Sequence, residues 1–267
     1  MLNTLRYFRR KFKAHHVDAY SAQAAFFLLC SFVPLLLVLF SLVKLFTVNS
    51  EDFFDAFNKF FPSFINQWTT DVIHEVFNQK SAGTTCFSAI TVVWSASKSI
   101  YYIVGGLNTI FELKESRPFW SVRILSILFT FALIIVVIFM VLLMVFGSAI
   151  ADSIVDVFPA LANFQLAILT ARYAIGFVVL TIFFSCIFKV LPAHRASLCE
   201  MIPGAVVSAS GWIVFSALFG LYIDHFSDYS KLYGGLTSIV LFLLWLYFCM
   251  QILFFGAELS LLLRKIK

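Results

Sequence analysis

Long apolar runs alternate with short charged segments along this chain. Asp, Glu, Lys and Arg are all absent from residues 19–43, 124–151, 201–223 and 232–257. A bilayer core about 30 Å thick needs roughly 20 residues of helix to cross it, so each run is long enough to span a membrane. The runs are continuous and lack the alternating pattern of a membrane barrel. We therefore expect helices rather than strands.

Shorter or interrupted runs predict two further crossings. Lys98 alone interrupts residues 81–111, and residues 173–188 are flanked by Arg172 and Lys189. Lys and Arg at helix ends extend their charged groups toward the headgroups while their stems stay in the apolar region. The sequence thus predicts one all-α domain, residues 1–267, built as a polytopic bundle of six transmembrane helices. The expected spans are 20–46, 84–111, 123–149, 171–191, 200–223 and 234–263.

Basic residues predict the orientation of the bundle. They cluster before the first run, at 112–123, at 189–195 and after the last run, whereas the alternate loops are mainly acidic. Lys and Arg beside helix ends are retained on the cytoplasmic side of a membrane. We expect both termini to be cytoplasmic.

The first external loop, about residues 50–80, has a pattern of its own. Its Phe, Ile, Val and Trp residues recur at intervals of three and four positions, with charged residues between them. This spacing predicts amphipathic helices at the outer surface, divided near Pro62. A lid that only packs on the bundle and a gate over a substrate path are equally compatible with the pattern.

Composition supports a membrane protein and narrows the partners. The chain is 61% hydrophobic and 12% charged, with 34 Phe, and its mean hydropathy is +0.96. Soluble domains carry about 25% charged residues. The net charge of +5 lies in loops beside the membrane, where topology and anionic lipid headgroups account for it, so we expect no nucleic-acid partner.

Residue patterns for catalysis are missing from the sequence. The five histidines show no metal-ligand spacing, the five cysteines are scattered, and no Gly-rich phosphate loop occurs. Asp224, His225 and Asp228 cluster at a helix end, where such a trio is usually solvated loop. We therefore expect no catalytic residue, no cofactor and no metal, and a protein that is not an enzyme.

Lys98 is the most informative polar residue, because it falls inside a predicted span. A lysine at the bilayer centre costs about 2.5–3.5 kcal/mol on insertion scales, so something should compensate its charge. Its helical neighbours include Trp94, Ser95, Tyr101 and Tyr102. Lys98 either lines a polar substrate cavity or is paired structurally with a carboxylate or with carbonyl groups. The sequence leaves both interpretations open.

Other polar and small residues in the spans have two possible roles. Asn108, Gln251 and Glu258 could extend a cavity lining with Ser95, Lys98 and Tyr102, although such residues more often bond neighbouring helices. Pro34 and the Gly105–Gly106 pair predict kinks. A set of small residues on the fifth helix predicts a face that another helix can approach closely: Gly204, Ser208 and Gly211.

An ordered series of short motifs resembles the YihY/virulence factor BrkB family over nearly the whole chain. The motifs are Ala24-Ala25-Phe26, Ser31-Phe32-Val33-Pro34, Trp94 to Lys98 followed by Gly106-Leu107-Asn108, Glu115-Ser116-Arg117-Pro118-Phe119, Leu191-Pro192, Pro203-Gly204-Ala205 with Trp212, Tyr233-Gly234-Gly235, Trp245-Leu246-Tyr247 and Gly256-Ala257-Glu258. The resemblance implies a six-helix protein of the bacterial cytoplasmic (inner) membrane. Members are often labelled ribonuclease BN, but this sequence lacks the water-exposed cluster of metal-binding residues that a nuclease needs.

Two functional hypotheses follow. The resemblance implies a role in moving lipids or lipid-linked molecules, or in envelope integrity, and Lys98 favours a transporter or flippase-like protein for an anionic headgroup. The alternative is a scaffold that does not transport and that binds envelope proteins through its external loop. Membrane lipids are partners under the first hypothesis. The sequence leaves the oligomeric state open.

Overall fold

A computed structural model describes residues 10–45, 82–157, 165–193, 197–225 and 236–266. Within these ranges the backbone is helical apart from short turns, and none of it forms a strand. The predicted all-α class is confirmed for this part of the chain. The predicted amphipathic region 50–80 and Asp228 lie outside the described residues.

Six long helices form in the described ranges, one at each predicted span. They are α1 Val17–Leu45, α2 Ala82–Ile110, α3 Phe119–Val157, α4 Gln165–Val190, α5 Leu198–His225 and α6 Leu236–Ile266. A short helical segment, residues 10–14, precedes α1. α3 is longer than the predicted 123–149 because it starts directly after Pro118 and runs through Asp152 and Asp156. Charged residues end an apolar span, but they do not have to end a helix.

Four of these helices contain a stretch long and apolar enough to cross a membrane. The stretches are Phe119–Met140, Tyr173–Val190, Leu198–Ile223 and Ile239–Arg264. In the described part of α1 the apolar stretch is shorter, Val17–Phe32. The structure therefore supports a multi-pass membrane bundle, while six crossings and the orientation of the termini stay predictions.

The helices pack in a ring that closes on itself. Each helix contacts the next along the chain, α6 returns to contact α1, and α6 also touches α2. Fully buried side chains such as Leu107, Phe188 and Phe254 fill the space between them. Outward-facing positions are also apolar: Ile135 is 65% exposed and Leu218 is 60% exposed. An apolar outer face is what contact with lipid requires.

One end of the ring collects most of the predicted cytoplasmic charge. Here α1, α3 and α5 begin and α2, α4 and α6 end. We call it the basic end, and its described basic residues include Lys13, Lys114, Arg117, Lys189 and Arg264. Ion pairs join Lys11 to Glu112 (2.7 Å) and Arg264 to Glu200 (3.4 Å) at this end.

Helices α5 and α6 cross at a pair of glycines. A Cβ added to Gly204 would overlap the Gly256 carbonyl and the Ser260 hydroxyl, and one added to Gly256 would overlap Ser208 and the Gly204 carbonyl. The Ser208 hydroxyl lies 3.2 Å from the Ile252 carbonyl oxygen across the crossing. The predicted small-residue face on α5 is confirmed, and its partner is α6.

The Gly105–Gly106 pair also serves close packing. α2 continues through both residues as a regular helix, and α1 likewise continues through Pro34, so neither predicted kink ends a helix. A Cβ on Gly105 would lie 2.9 Å from the Tyr20 ring, and one on Gly106 would lie 2.6 Å from the Phe254 ring. The two glycines therefore admit aromatic side chains from α1 and α6.

We expect Gly204→Ala to destabilise the protein. Overpacking in a close contact costs about 1–3 kcal/mol, and here the contacted atoms include backbone that cannot rotate away. Gly220→Ala, on the same helix with nothing within 4 Å of the added Cβ, is the matched control and should be neutral or slightly stabilising. Thermal unfolding in detergent measures both. Equal melting temperatures for the two variants would contradict the close crossing.

Candidate functional site

Aromatic rings hold the ammonium group of Lys98. Its Nζ lies 4.4 Å from the centre of the Trp94 ring, one turn earlier on α2, and 5.0 Å from the centre of the Phe27 ring on α1. A cation within about 6 Å of a ring centroid is attracted by the negative face of the π system. Among the described residues no carboxylate lies within ion-pair distance of Lys98.

The rings around Lys98 form one aromatic frame between α1 and α2. Phe27 stacks on Tyr102, with centroids 5.4 Å apart and an interplanar angle of 16°, and meets Trp94 edge-on at 6.5 Å. Trp94 is 52% exposed and Lys98 is half-buried. The frame therefore lies at the rim of the bundle and remains accessible from outside it. We call Phe27, Trp94, Lys98 and Tyr102 the lysine frame.

The side chain of Arg123, on α3, contacts the lysine frame at the Trp94 backbone. Its Nη2 lies 3.4 Å from the Trp94 carbonyl oxygen, so a second cation stands beside the lysine frame. Arg123 lies four residues into α3, or ~6 Å at 1.5 Å per residue. The lysine frame is therefore near the level of the first turns of α3. Along α2, Lys98 lies 12 residues before the end of the helix at Ile110, or ~18 Å at 1.5 Å per residue, so its depth in a membrane stays a prediction.

Asn108 joins two connections between helices. Its Nδ2 donates to Glu115 Oε2 at 2.8 Å in the α2–α3 connection, and its Oδ1 accepts from the Ala193 backbone N–H at 2.8 Å in the α4–α5 connection. The side chain is buried. Both polar atoms of this amide are thus used to hold the basic end together.

Arg117 completes this arrangement. Its Nε and Nη2 donate to the two Glu115 carboxylate oxygens at 2.8 and 2.7 Å, and Nη2 also donates to the Leu191 carbonyl oxygen at 2.8 Å. Two parallel hydrogen bonds between guanidinium and carboxylate give a geometrically specific pair. We call Asn108, Glu115, Arg117, Leu191 and Ala193 the connection clasp.

Hydrogen bonds from the Arg117 side chain lower the pKa of Glu115 from 4.5 to about 2, although partial burial opposes the shift. The Arg117 backbone N–H also donates to this carboxylate, at 3.1 Å. Glu115 therefore stays ionised at neutral pH. The clasp carries a permanent ion pair.

Gln251 and Glu258 tie α6 to the start of α1 and to the turn that precedes it. Gln251 Nε2 donates to Asp18 Oδ1 at 2.8 Å and to the Tyr247 hydroxyl at 2.7 Å. Glu258 Oε2 lies 3.1 Å from His15 Nδ1, and both side chains are buried. Among the described residues the other Glu258 oxygen has no hydrogen-bond partner.

The six predicted site residues therefore fall into separate groups. Lys98 and Tyr102 share the lysine frame, and Ser95 lies on the buried side of the same helix, where its hydroxyl donates to the Thr91 carbonyl at 2.6 Å. Asn108 lies in the connection clasp, while Gln251 holds α6 to α1 and Glu258 holds α6 to the turn before α1. Their hydrogen bonds do not bring the six side chains into one lining.

Sequence reasoning missed two members of the neighbourhood of Lys98. Phe27 stands in an apolar run where nothing distinguishes it from Phe26. Arg123 counted only as a loop charge that sets topology. Both enter the site through the packing of α1 and α3 on α2, which a pattern along a single helix does not contain.

Comparison with known proteins places the chain in a family of membrane proteins. Residues 8–266 match the family described as Virulence factor BrkB. The ribonuclease-like protein YfkH of Bacillus subtilis is 30% identical over 96% of this chain and 94% of its own length. A UPF0761 membrane protein of Alteromonas mediterranea is 24% identical over 94% of this chain and 84% of its own length. A UPF0761 membrane protein of Pseudoalteromonas atlantica is 27% identical over 88% of this chain and 77% of its own length. No solved structure matches the chain.

We expect Glu115→Gln to make the stability of the protein fall less steeply as the pH is lowered below neutral. A carboxyl group whose pKa is lowered on folding stabilises the protein above its unfolded pKa, here 4.5, and this contribution is lost as the pH falls toward about 2. The variant should lose roughly 1 kcal/mol at neutral pH, since the pair is partly screened by solvent. Melting temperatures measured from neutral pH to about pH 3 test this expectation.

Glu112→Gln is the control in the same connection. Its ion pair with Lys11 is more exposed, with 53% of the Glu112 side chain accessible, and should contribute less. A Glu115→Gln variant with the same acid slope as the wild type would show that the clasp does not control the pKa of this carboxyl group.

Proposed function

Because this chain belongs to the virulence factor BrkB family of membrane proteins, we propose that it is a transporter or flippase-like protein for a lipid or lipid-linked molecule with an anionic headgroup. In this proposal it lies in the bacterial cytoplasmic membrane, crosses it six times and has both termini in the cytoplasm. The excess of basic residues at one end of the ring supports that orientation.

The observation that carries the proposal is the environment of Lys98. Ring faces attract its positive charge, and within the described ranges no hydrogen-bond acceptor contacts the three N–H donors of the ammonium. A phosphate oxygen would supply charge-assisted hydrogen bonds at this point. The lysine frame is thus suited to an anion that approaches from outside the bundle.

Arg123 makes the same position more favourable for a phosphate. It brings a second cation to Trp94, and no described acidic side chain pairs with Lys98 or Arg123. The half-exposed Trp94 ring offers an apolar surface to the part of the lipid nearest the headgroup. In the proposal a headgroup binds here on its way across the membrane.

We restrict the proposed substrate contacts to the lysine frame and Arg123. Asn108, Gln251 and Ser95 already have hydrogen-bond partners within the protein, and Glu258 faces His15. Moving Asn108, Gln251 or Glu258 to a substrate would break a contact between separate parts of the chain, and moving Ser95 would break its bond to the preceding turn of α2. Their proposed role is to keep the helices in place around the lysine frame.

A second candidate function is a scaffold that does not transport and that binds envelope proteins. The pairing of Asn108 and Gln251 favours it, because a bundle that never opens should have its internal polar atoms satisfied. Headgroup movement by the wild-type protein separates the two functions, since a scaffold should produce none.

We propose no ribonuclease activity for this chain, although one relative carries a ribonuclease-like name. Metal-assisted cleavage of RNA needs carboxylates grouped around a cation. Here Glu115 is held by Arg117, Glu258 faces His15, and Asp18 accepts from Gln251. These carboxylates serve separate contacts.

Headgroup movement in proteoliposomes tests the transport proposal. Fluorescent phosphatidylglycerol and phosphatidylcholine are followed by chemical quenching from outside. We expect the wild type to move phosphatidylglycerol faster, and Lys98→Met to slow that movement about tenfold or more, since a hydrogen bond to a charged group contributes ~1.5–3 kcal/mol.

Lys98→Arg and Lys13→Met are the matched controls. The first keeps the charge and its attraction to the rings, and the second removes an exposed lysine at the basic end. Both should keep most of the activity. Normal movement of phosphatidylglycerol by a folded Lys98→Met protein would exclude Lys98 from the mechanism, and no movement by the wild type would favour the scaffold.

A further inference from the structure

A groove of about 370 Å³ runs between α4 and α5 on the outer side of the ring. α4 contributes one face of residues from Phe177 to Cys186, and α5 contributes Leu198, Ile202 and Val206. Ile182 is 57% exposed and Ile202 is 43% exposed, so the groove opens outward. In the ring order it lies across the bundle from α1 and α2, which carry the lysine frame.

The groove presents an apolar surface although two hydroxyls line it. Thr181 Oγ1 donates to the Phe177 carbonyl and Ser185 Oγ donates to the Thr181 carbonyl, both at 2.8 Å within α4. These hydroxyls have already found acceptors on their own helix. The groove therefore suits a hydrocarbon chain better than a polar ligand.

Lys189 lies on the same face of α4, beyond one end of the groove. It follows Val178 by about three turns and Ile182 by about two, so all three share one stripe at 3.6 residues per turn. It occupies the last turn of α4, at the basic end, and is half-buried. One stripe of α4 thus combines the apolar groove with a lysine about one turn beyond the last groove residue of that helix, Cys186.

We propose that this groove binds one acyl chain of an anionic glycerophospholipid, whose phosphate contacts Lys189. The groove runs along Tyr173–Val190 and Leu198–Ile223, two stretches apolar enough to span a membrane, so hydrocarbon is the medium that meets it. Its volume falls in the range of small-molecule sites. The charge of Lys189, beyond this end of the groove, selects an anionic headgroup over a zwitterionic one.

This site is separate from the proposed transport function. It uses α4 and α5 and none of the residues of the lysine frame. A lipid bound here is a resident molecule that fills the surface between two helices, and it does not have to cross the membrane.

Photocrosslinking in nanodiscs tests the proposal. The full chain is placed in phosphatidylcholine that contains a small fraction of phosphatidylglycerol with a diazirine in one acyl chain. After irradiation, labelled peptides are identified by mass spectrometry. We expect labels to concentrate on residues 177–186 and 198–206, above the level found on the exposed face of α3.

Two pairs of variants make the test specific. Ile202→Trp fills the groove and should remove the labels there, whereas Leu218→Trp, at an exposed position of α5 outside the groove, should not. Lys189→Gln should reduce the preference for the phosphatidylglycerol probe over a phosphatidylcholine probe about fivefold, as expected for one basic residue near an anionic headgroup. Lys114→Gln, exposed at the same end, should leave the preference unchanged.

Two outcomes would overturn the proposal. Labels spread evenly over the outer faces of the ring would mean ordinary contact with bulk lipid. Crosslinks between Cys186 residues of two copies, abolished by Ile202→Trp, would mean that a second chain occupies the groove. Lys98→Met should leave the labels in place, so failure of the transport proposal and failure of this one are distinguishable.

Discussion

The Asn108 amide determines how the basic end of the bundle is built. One buried side chain bonds the α2–α3 connection through its nitrogen and the α4–α5 connection through its oxygen. Helices in a membrane have little hydrophobic drive to associate with each other, so hydrogen bonds and close packing carry more of the specificity. The Glu115–Arg117 pair fixes the connection that Asn108 holds, and the glycine crossing of α5 and α6 provides the close packing.

The described polar side chains fall into two groups, those that have a hydrogen-bond or ion-pair partner within the protein and those for which none is seen. Asn108, Gln251, Ser95 and Ser208 are bonded to neighbouring groups, which makes them part of the framework, whereas the buried Ser21 hydroxyl has no hydrogen-bond partner among the described residues. Lys98 and Lys189 differ, because one faces aromatic rings and the other shares a stripe with an apolar groove. In the described part of the chain neither lysine pairs with an acidic side chain, and a cation near hydrocarbon without such a partner is a favourable place for an anionic lipid to bind.

Much of the fold could be predicted from the sequence, because hydrophobic run length is a local property. All six helices occur at the predicted spans, four at charge-free runs and two at the shorter or interrupted runs, and the small face at Gly204 indicates a close helix contact before its partner is known. The site was less predictable. Lys98 can be recognised in the sequence because it is a charge inside an apolar span. Its neighbours Phe27 and Arg123 cannot, because they are set by how α1 and α3 pack against α2.

The glycines and the interhelical amides show a further limit of sequence patterns. A pattern cannot distinguish a glycine that bends a helix from one that admits a neighbouring ring, and Gly105 and Gly106 do the second. A sequence pattern likewise cannot tell whether a side-chain amide lines a cavity or bonds to a connection between helices. Asn108 bonds to two such connections.

Contact between the first and the last helix has a consequence for how the chain is assembled during synthesis. Chains emerge from the N-terminus, so α1 is made long before α6. Until α6 arrives, His15 and Asp18 lack Glu258 and Gln251, the groups they meet in the finished protein. A nascent chain arrested before its last helix would be an open arc, and only the final segment turns that arc into a closed ring.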